Sequence, residues 1–151
     1  MKVYPHYQHK IDLIGSRKIY KRNYRFTPED AKVAQQQIDN MLHHGIVEES
    51  SAHEFNSPIF LVNKRNGMRR LVIDLRELNS IIKPTPVQLP KIDEVIDSVA
   101  VSAPKFLSVI DIFSAFYQVN LDPSSRPYTS FQGPDFRRFM YKRCPFGLFM
   151  Q

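Results

Sequence analysis

Two β-prone runs around an Asn-Gly pair constrain the fold of this chain more than any other feature. Residues 57–64 read SPIFLVNK, residues 68–74 read MRRLVID, and the triplet RNG lies between them. Both central residues of a type I′ turn need a positive φ angle, which Asn and Gly adopt readily, so this pattern predicts a hairpin. Lys64, Arg65, Arg69 and Arg70 surround the turn. They fit either a flap that closes over a triphosphate or an ordinary solvated tip.

Helical signals stand on both sides of this hairpin. Thr27 suits an N-cap and Pro28 suits the first helical position, and apolar residues then follow at helical spacing until the stop signal at Gly45. A shorter amphipathic helix is predicted from Pro90 through Val99.

A buried strand is predicted at residues 106–110, which read FLSVI, with Asp111 at its end. Residues 114–119 suit a helical turn, and residues 128–131 and 136–141 suit a strand pair. A carboxylate at a strand end can hold a hard cation such as Mg²⁺, although it can equally cap a helix or form a surface ion pair.

The net charge of +6 is concentrated in the first 25 residues, which carry seven basic side chains and one acidic one. This predicts an extended, unpacked arm that either binds a polyanion such as nucleic acid or keeps the chain soluble. No apolar run approaches the roughly 20 residues of a membrane span, and the first thirty residues are polar and basic, without the apolar core of a signal peptide. We therefore expect an intracellular protein with no membrane partner.

Four groups of segments, taken in order, carry a resemblance to a known family. They are HKID (9–12) with QIDNMLHHGIVEES (37–50); SPIFLVNKRNG (57–67) with RLVIDLRELN (70–79); LPKID (89–93) with FLSVIDIFSAFYQV (106–119); and PFGL (145–148). Together they resemble the first half of reverse transcriptases from gypsy-type LTR retrotransposons and their retroviral relatives. The resemblance implies an α+β fold made of the fingers and an incomplete palm of a right-hand polymerase.

The resemblance also implies a role for individual residues. Asp111 is similar to the catalytic, metal-binding aspartate of the palm, and the carbonyl of Ile112 to a further metal ligand. The expected nucleotide-binding residues are Ile112, with Lys64 and Arg70 on the triphosphate, Phe116 as a gate against a 2′-hydroxyl, Phe146 near the sugar, and Gly147, which permits close approach. Asp74, Arg76, Glu77 and Asn79 match a segment that serves structure and template contact together.

The expected organisation is a basic arm at residues 1–25, fingers and their connection to the palm at 26–104, and a partial palm at 105–151. The family's second carboxylate pair is an Asp-Asp turn, and this sequence contains no adjacent Asp-Asp pair. We therefore expect the family's two Mg²⁺ ions to find only part of their ligands here, and the 151 residues alone to be inactive. A nucleic-acid-binding remnant without catalysis and a non-functional relic are the alternatives.

The resemblance implies several partners: an RNA or DNA template-primer, a deoxynucleoside triphosphate, and the remainder of a Pol polyprotein. It further implies a cytoplasmic, virus-like particle as the location, with access to the nucleus.

Overall fold

The computed structural model describes residues 4–63, 67–84 and 89–149. Apart from the gaps, these residues divide into a larger unit, residues 4–83 with 114–149, and a smaller unit, residues 84–113. In chain order the larger unit contains strand β1 (Gln8–His9), helix α1 (Pro28–His43), strands β2 (Val47–Glu49), β3 (Ile59–Asn63) and β4 (Arg69–Ile73), helix α2 (Arg76–Asn79), a 3-10 helix (Ala115–Gln118), strand β5 (Asn120–Leu121), a second 3-10 helix (Arg126–Thr129), and strands β6 (Phe131–Gln132) and β7 (Arg138–Tyr141). The smaller unit contains helix α3 (Ile92–Ser102).

Helix α1 begins and ends where the sequence predicts. The Thr27 hydroxyl accepts a hydrogen bond from the backbone N–H of Asp30 at 3.1 Å, which satisfies one of the free donors of the first turn. The chain leaves the helix at Gly45, whose φ of +62° suits a residue without a Cβ. Ala34 and Ile38 form the buried face of the helix.

The predicted hairpin is confirmed as an antiparallel pair of β3 and β4. Its register joins Ile59 to Ile73 and Asn63 to Arg69, and most of its turn lies outside the described residues. Helix α1 holds the hairpin through Gln37, which donates to the Arg69 carbonyl and accepts from the Leu71 N–H, both at 2.9 Å.

A three-stranded antiparallel sheet in the order β2-β7-β6 lies at the centre of the larger unit. Phe131 and Phe139 are fully buried and stack with ring centroids 5.6 Å apart. The sheet confirms a strand pair around residues 133–135, but both strands start later than predicted, because residues 128–129 belong to the second 3-10 helix and β7 begins at Arg138. Pro127 suits the first turn of the 3-10 helix with its fixed φ, and Phe136 has a φ of +66°, which lies outside the β region.

The N-terminal arm is extended, but the expectation that it is unpacked is wrong. Strand β1 pairs in parallel with β5, and the side chains of Ile11 and Ile19 are buried in the core. Asn56 fixes the arm further, because its N–H donates to the Ile19 carbonyl at 2.7 Å and its side-chain amide donates to the Lys21 carbonyl at 2.6 Å. Tertiary hydrogen bonds thus replace the local ones that the arm lacks.

The smaller unit confirms the predicted amphipathic helix as α3, although none of its residues is buried. The predicted buried strand at residues 106–110 is wrong: the segment is not a strand, and the side chains of Phe106, Val109 and Ile110 are 90%, 96% and 88% exposed. A strand needs partner strands for its backbone groups, and none of the described strands pairs with this segment.

No described helix has the length and the apolar character that a membrane crossing requires. The bounds predicted for the arm, the fingers and the palm stay a prediction.

Candidate functional site

A cavity of about 380 Å³ opens between the β3–β4 hairpin and the loop that follows β7. Aliphatic and aromatic side chains form most of its wall. The residues that line it are Val62, Arg70, Leu71, Val72, Ile73, Tyr117, Tyr141, Phe146 and Gly147.

Arg70 is stacked on Phe146 at this cavity. The central carbon of the guanidinium lies 4.3 Å from the centroid of the ring, a distance typical of a cation–π contact. The ring of Phe146 also contacts the rings of Phe116 and Tyr117, with centroids 5.2 and 4.8 Å away. The structure therefore brings three residues of the sequence-based site, Arg70, Phe116 and Phe146, into one cluster.

Gly147 completes the cavity wall next to Phe146. Its φ is +85°, and a Cβ at this position would meet nothing within 4 Å. The backbone conformation of the turn thus requires glycine here, whereas the space around it does not.

Two tyrosines that the sequence analysis missed also line the cavity. Burial raises the pKa of Tyr117 and raises that of the fully buried Tyr141 further, and their hydroxyls are hydrogen-bonded to each other. Both are therefore neutral near pH 7, and among the described residues of the lining Arg70 alone carries a charge. A cavity with one cation, aromatic walls and no lining carboxylate suits an anion that carries a ring or a sugar. Two features of the sequence could have revealed these tyrosines. Tyr117 directly follows Phe116, and Tyr141 lies two residues after Phe139, so that both belong to the same face of β7.

The predicted metal ligands belong to a different unit of the chain. Asp111 and Ile112 belong to the smaller unit, in an exposed segment without regular structure. In residues 4–63, 67–84 and 89–149, no three His, Cys, Asp or Glu side chains are grouped so that they could hold a metal ion. Lys64 lies outside the described residues.

A second polar cluster lies at the end of β4, around Asp74. The carboxylate is almost fully buried and accepts hydrogen bonds from the Nε and Nη2 atoms of Arg76, at 2.8 and 2.6 Å, and from the Tyr24 hydroxyl at 3.2 Å. The hydrogen bonds from Arg76 hold the pKa of Asp74 well below its usual range. Tyr24 also packs edge-on against Phe60, with centroids 5.9 Å apart. Arg76 remains 80% exposed and can contact a further anion.

The sequence profile of the family described as reverse transcriptase (RNA-dependent DNA polymerase) matches residues 62–150, more than half of the chain. The chain belongs to the reverse transcriptase family. The matched region includes the whole cavity lining and Asp111. The roles of the individual site residues stay predictions.

Reverse transcriptase relatives match over most of this chain. It is 32% identical, over 148 residues, to the retrovirus-related Pol polyprotein from transposon 412 of Drosophila melanogaster, covering 94% of this chain and 12% of that protein. It is 35% identical, over 138 residues, to the Pol polyprotein of equine infectious anemia virus (strain Wyoming), covering 80% of this chain and 11% of that one. The chain thus spans about one eighth of the length of these relatives.

The fold is also similar to that of solved reverse transcriptases. A foamy viral protease-reverse transcriptase in complex with double-stranded DNA aligns with a TM-score of 0.75 at 23% identity, covering 97% of this chain and 24% of that one. The expected α+β, reverse-transcriptase-like fold is confirmed.

Proposed function

We propose that this chain supplies the incoming-nucleotide pocket of an RNA-directed DNA polymerase, which adds deoxynucleotides to a primer 3′-hydroxyl. The observation that carries this proposal is the stack of Arg70 on Phe146 at the cavity, with Phe116 against the same ring. The similarity to the Pol polyprotein of transposon 412 supports a gypsy-type LTR retrotransposon as the source.

The contact with Phe146 leaves N–H donors of Arg70 available to a ligand. The guanidinium lies over the Phe146 ring, and the planar fork of an arginine has N–H donors that can form a two-pronged contact with a phosphate. A triphosphate held in this way keeps its sugar near the rings of Phe146 and Phe116. Phe116 would then exclude a 2′-hydroxyl by volume alone.

We propose Asp111 and the Ile112 carbonyl as ligands of a Mg²⁺ ion. A carboxylate and a carbonyl are the oxygen ligands that this ion prefers. The remaining ligands have to come from outside the described residues.

The template-primer is the proposed nucleic-acid partner. The cluster of Tyr24, Phe60 and Arg76 offers aromatic surface and an exposed cation, the two features that favour binding of single strands. Because the chain spans a small part of its relatives, the rest of a Pol polyprotein is the proposed protein partner. RNA and deoxynucleotides are both intracellular, so we propose a cytoplasmic location, with access to the nucleus.

A chimera tests the proposal directly. This chain replaces the matching segment of a related reverse transcriptase, so that the rest of the polymerase is supplied, and primer extension is measured. We expect extension by the chimera and its loss in the Asp111→Asn variant, while the control Asp12→Asn, an exposed carboxylate of the arm, stays active. A folded chimera that binds template-primer without extending it would favour the remnant without catalysis.

A further inference from the structure

Asn79 links the segment after β4 to the loop that carries Phe146. It is the last residue of α2, a single turn that the fully buried Leu78 anchors in the core. Its side-chain Nδ2 donates to the Gly147 carbonyl at 2.8 Å, and its Oδ1 accepts from the Phe149 N–H at 2.9 Å. One side chain thus holds two backbone groups of the loop from opposite sides of Leu148.

The two bonds run in opposite directions, which fixes both the side chain and the loop. The amide can satisfy the carbonyl and the N–H together in one orientation only, with nitrogen towards Gly147 and oxygen towards Phe149. An aspartate at this position would keep the acceptor, but it would place a carboxylate oxygen against the Gly147 carbonyl oxygen. Neither loop group has another hydrogen-bond partner among the described residues.

The loop in turn forms one wall of the cavity. Phe146 lies next to Gly147 and carries the stack with Arg70. The turn has one internal hydrogen bond, from the Leu148 N–H to the Pro145 carbonyl, and at 3.3 Å it is a long one. Gly147, at a φ of +85°, adds little stiffness, because many conformations are open to glycine. The position of the Phe146 ring therefore depends on the hydrogen bond that fixes the Gly147 carbonyl.

We propose that Asn79 is a positioning residue of the nucleotide pocket, which it shapes by holding the Phe146–Gly147 loop against α2. Its side chain is hydrogen-bonded to Gly147 of the cavity lining, and it acts through the neighbouring Phe146. The nucleotide role rests on the proposed function, whereas the loop-holding role does not. Asp74 and Arg76 lie on the same short segment, so Asn79 joins the Arg76 cluster to the cavity.

The test compares Asn79→Asp with Asn40→Asp on α1, which introduces the same charge away from the loop. Two measurements on the 151-residue chain need no ligand: amide hydrogen exchange at Phe149, and the NMR shift of the Arg70 Hε proton, which reports the ring above it. In Asn79→Asp the carboxylate repels the Gly147 carbonyl, which releases the loop from α2 and with it the bond to the Phe149 N–H. We therefore expect exchange at Phe149 to speed up about tenfold, the factor for one lost hydrogen bond of ordinary strength, and the Arg70 resonance to move towards its unstacked value. Asn40→Asp should do neither.

A third measurement titrates the same proteins with dTTP well below their unfolding temperatures. Weaker binding by Asn79→Asp than by the unaltered chain and Asn40→Asp supports the nucleotide role. Failure of the unaltered chain to bind dTTP would count against the proposed nucleotide pocket, while exchange and the Arg70 shift would still decide on Asn79. If Asn79→Asp only lowers the unfolding midpoint and leaves both of these at their native values, Asn79 is a structural residue and the inference is overturned.

Discussion

The guanidinium of Arg70 lies over the ring of Phe146, with its central carbon 4.3 Å from the ring centroid, although Arg70 belongs to the hairpin and Phe146 to the loop after β7. The contact requires a flat cation, because a guanidinium can stack over its whole area and an ammonium cannot. The hairpin and the loop are thus joined by a pair whose chemistry also suits a triphosphate.

This stack predicts different outcomes for two substitutions of Arg70. Arg70→Lys keeps the charge and loses the stack and the two-pronged contact, whereas Arg70→Ala loses all three. We expect dTTP affinity to fall in both, and further in Arg70→Ala, in calorimetric titrations of the chain. Arg17→Ala, which removes an exposed cation of the arm, is the control. Equal affinities of all three variants would rule out Arg70 as a phosphate contact.

The Phe116 ring predicts sugar selectivity in the chimera. Because Phe116→Ala removes the volume that would meet a 2′-hydroxyl, ribonucleotide incorporation should rise relative to deoxynucleotide incorporation. The measurement is the ratio of kcat/KM values for a matched nucleotide pair. The control is Phe136→Ala, which alters an exposed phenylalanine outside the site. An unchanged ratio would show that another residue discriminates the sugar.

The Asp74–Arg76 contact predicts acid sensitivity of the fold. The pKa of Asp74 is lower in the folded chain than in the unfolded chain. The Asp74 carboxylate therefore stabilises the fold fully above its unfolded pKa of about 3.9, and this contribution is lost as the pH falls towards the folded pKa. The urea midpoint should therefore drop more steeply between about pH 5 and pH 2 for the unaltered chain than for Asp74→Asn. Asp12→Asn should follow the unaltered chain. Parallel pH profiles for Asp74→Asn and the unaltered chain would contradict this account.

The basic arm offers two matched sets of three cations. Lys10, Lys18 and Lys21 form ion pairs with acidic side chains, whereas Arg17, Arg22 and Arg25 have no acidic partner among the described residues. Replacing the three arginines by Gln should reduce the salt dependence of single-strand binding by about 0.7 in log–log slope per lost phosphate contact. Replacing the three lysines by Gln removes the same charge and should change the slope less. If the two triple variants behave alike, net charge alone explains binding.

The exposed segment at residues 106–110 predicts that local stability differs between parts of the chain. Its amides should exchange with solvent at nearly unprotected rates, whereas those of α1 and β7 should be the slowest, since buried side chains cover them. Val109→Glu should leave the unfolding midpoint unchanged and reduce self-association, because Val109 is 96% exposed and an apolar surface invites contact between copies. Strong protection at residues 106–110 in a monomer would refute this.

Local signals explain which parts of the fold could be predicted. The caps at Thr27 and Pro28 and the Asn-Gly pair act within a few residues, so α1 and the hairpin follow from the sequence. The packing of Ile11 depends on β5, far along the chain, and no local pattern reports it. At residues 106–110 the apolar pattern indicates a preference for burial, but it carries no information on which strand provides that burial.

The candidate site divides in the same way. The resemblance of motifs predicted Arg70 and Phe146 as site residues, and the structure shows that the two side chains are in contact. The sequence analysis did not predict Tyr117 and Tyr141 as site residues, because they line a cavity that forms only when the hairpin packs against β7 and its loop. The sequence analysis did not predict that Asn79 holds the loop, since its two hydrogen bonds join segments about 70 residues apart.

The parallel pairing of β1 with β5 sets an order of events during synthesis on the ribosome. The first strand emerges early, and residues 120–121, which complete it, follow more than a hundred residues later. At about 5–20 residues per second, Ile11, whose N–H donates to the Ser125 hydroxyl, waits roughly 5–20 s in a nascent chain before this part of its surroundings exists. The larger unit can therefore close only late in translation, and until then its first residues form a binding site for chaperones that recognise extended apolar segments.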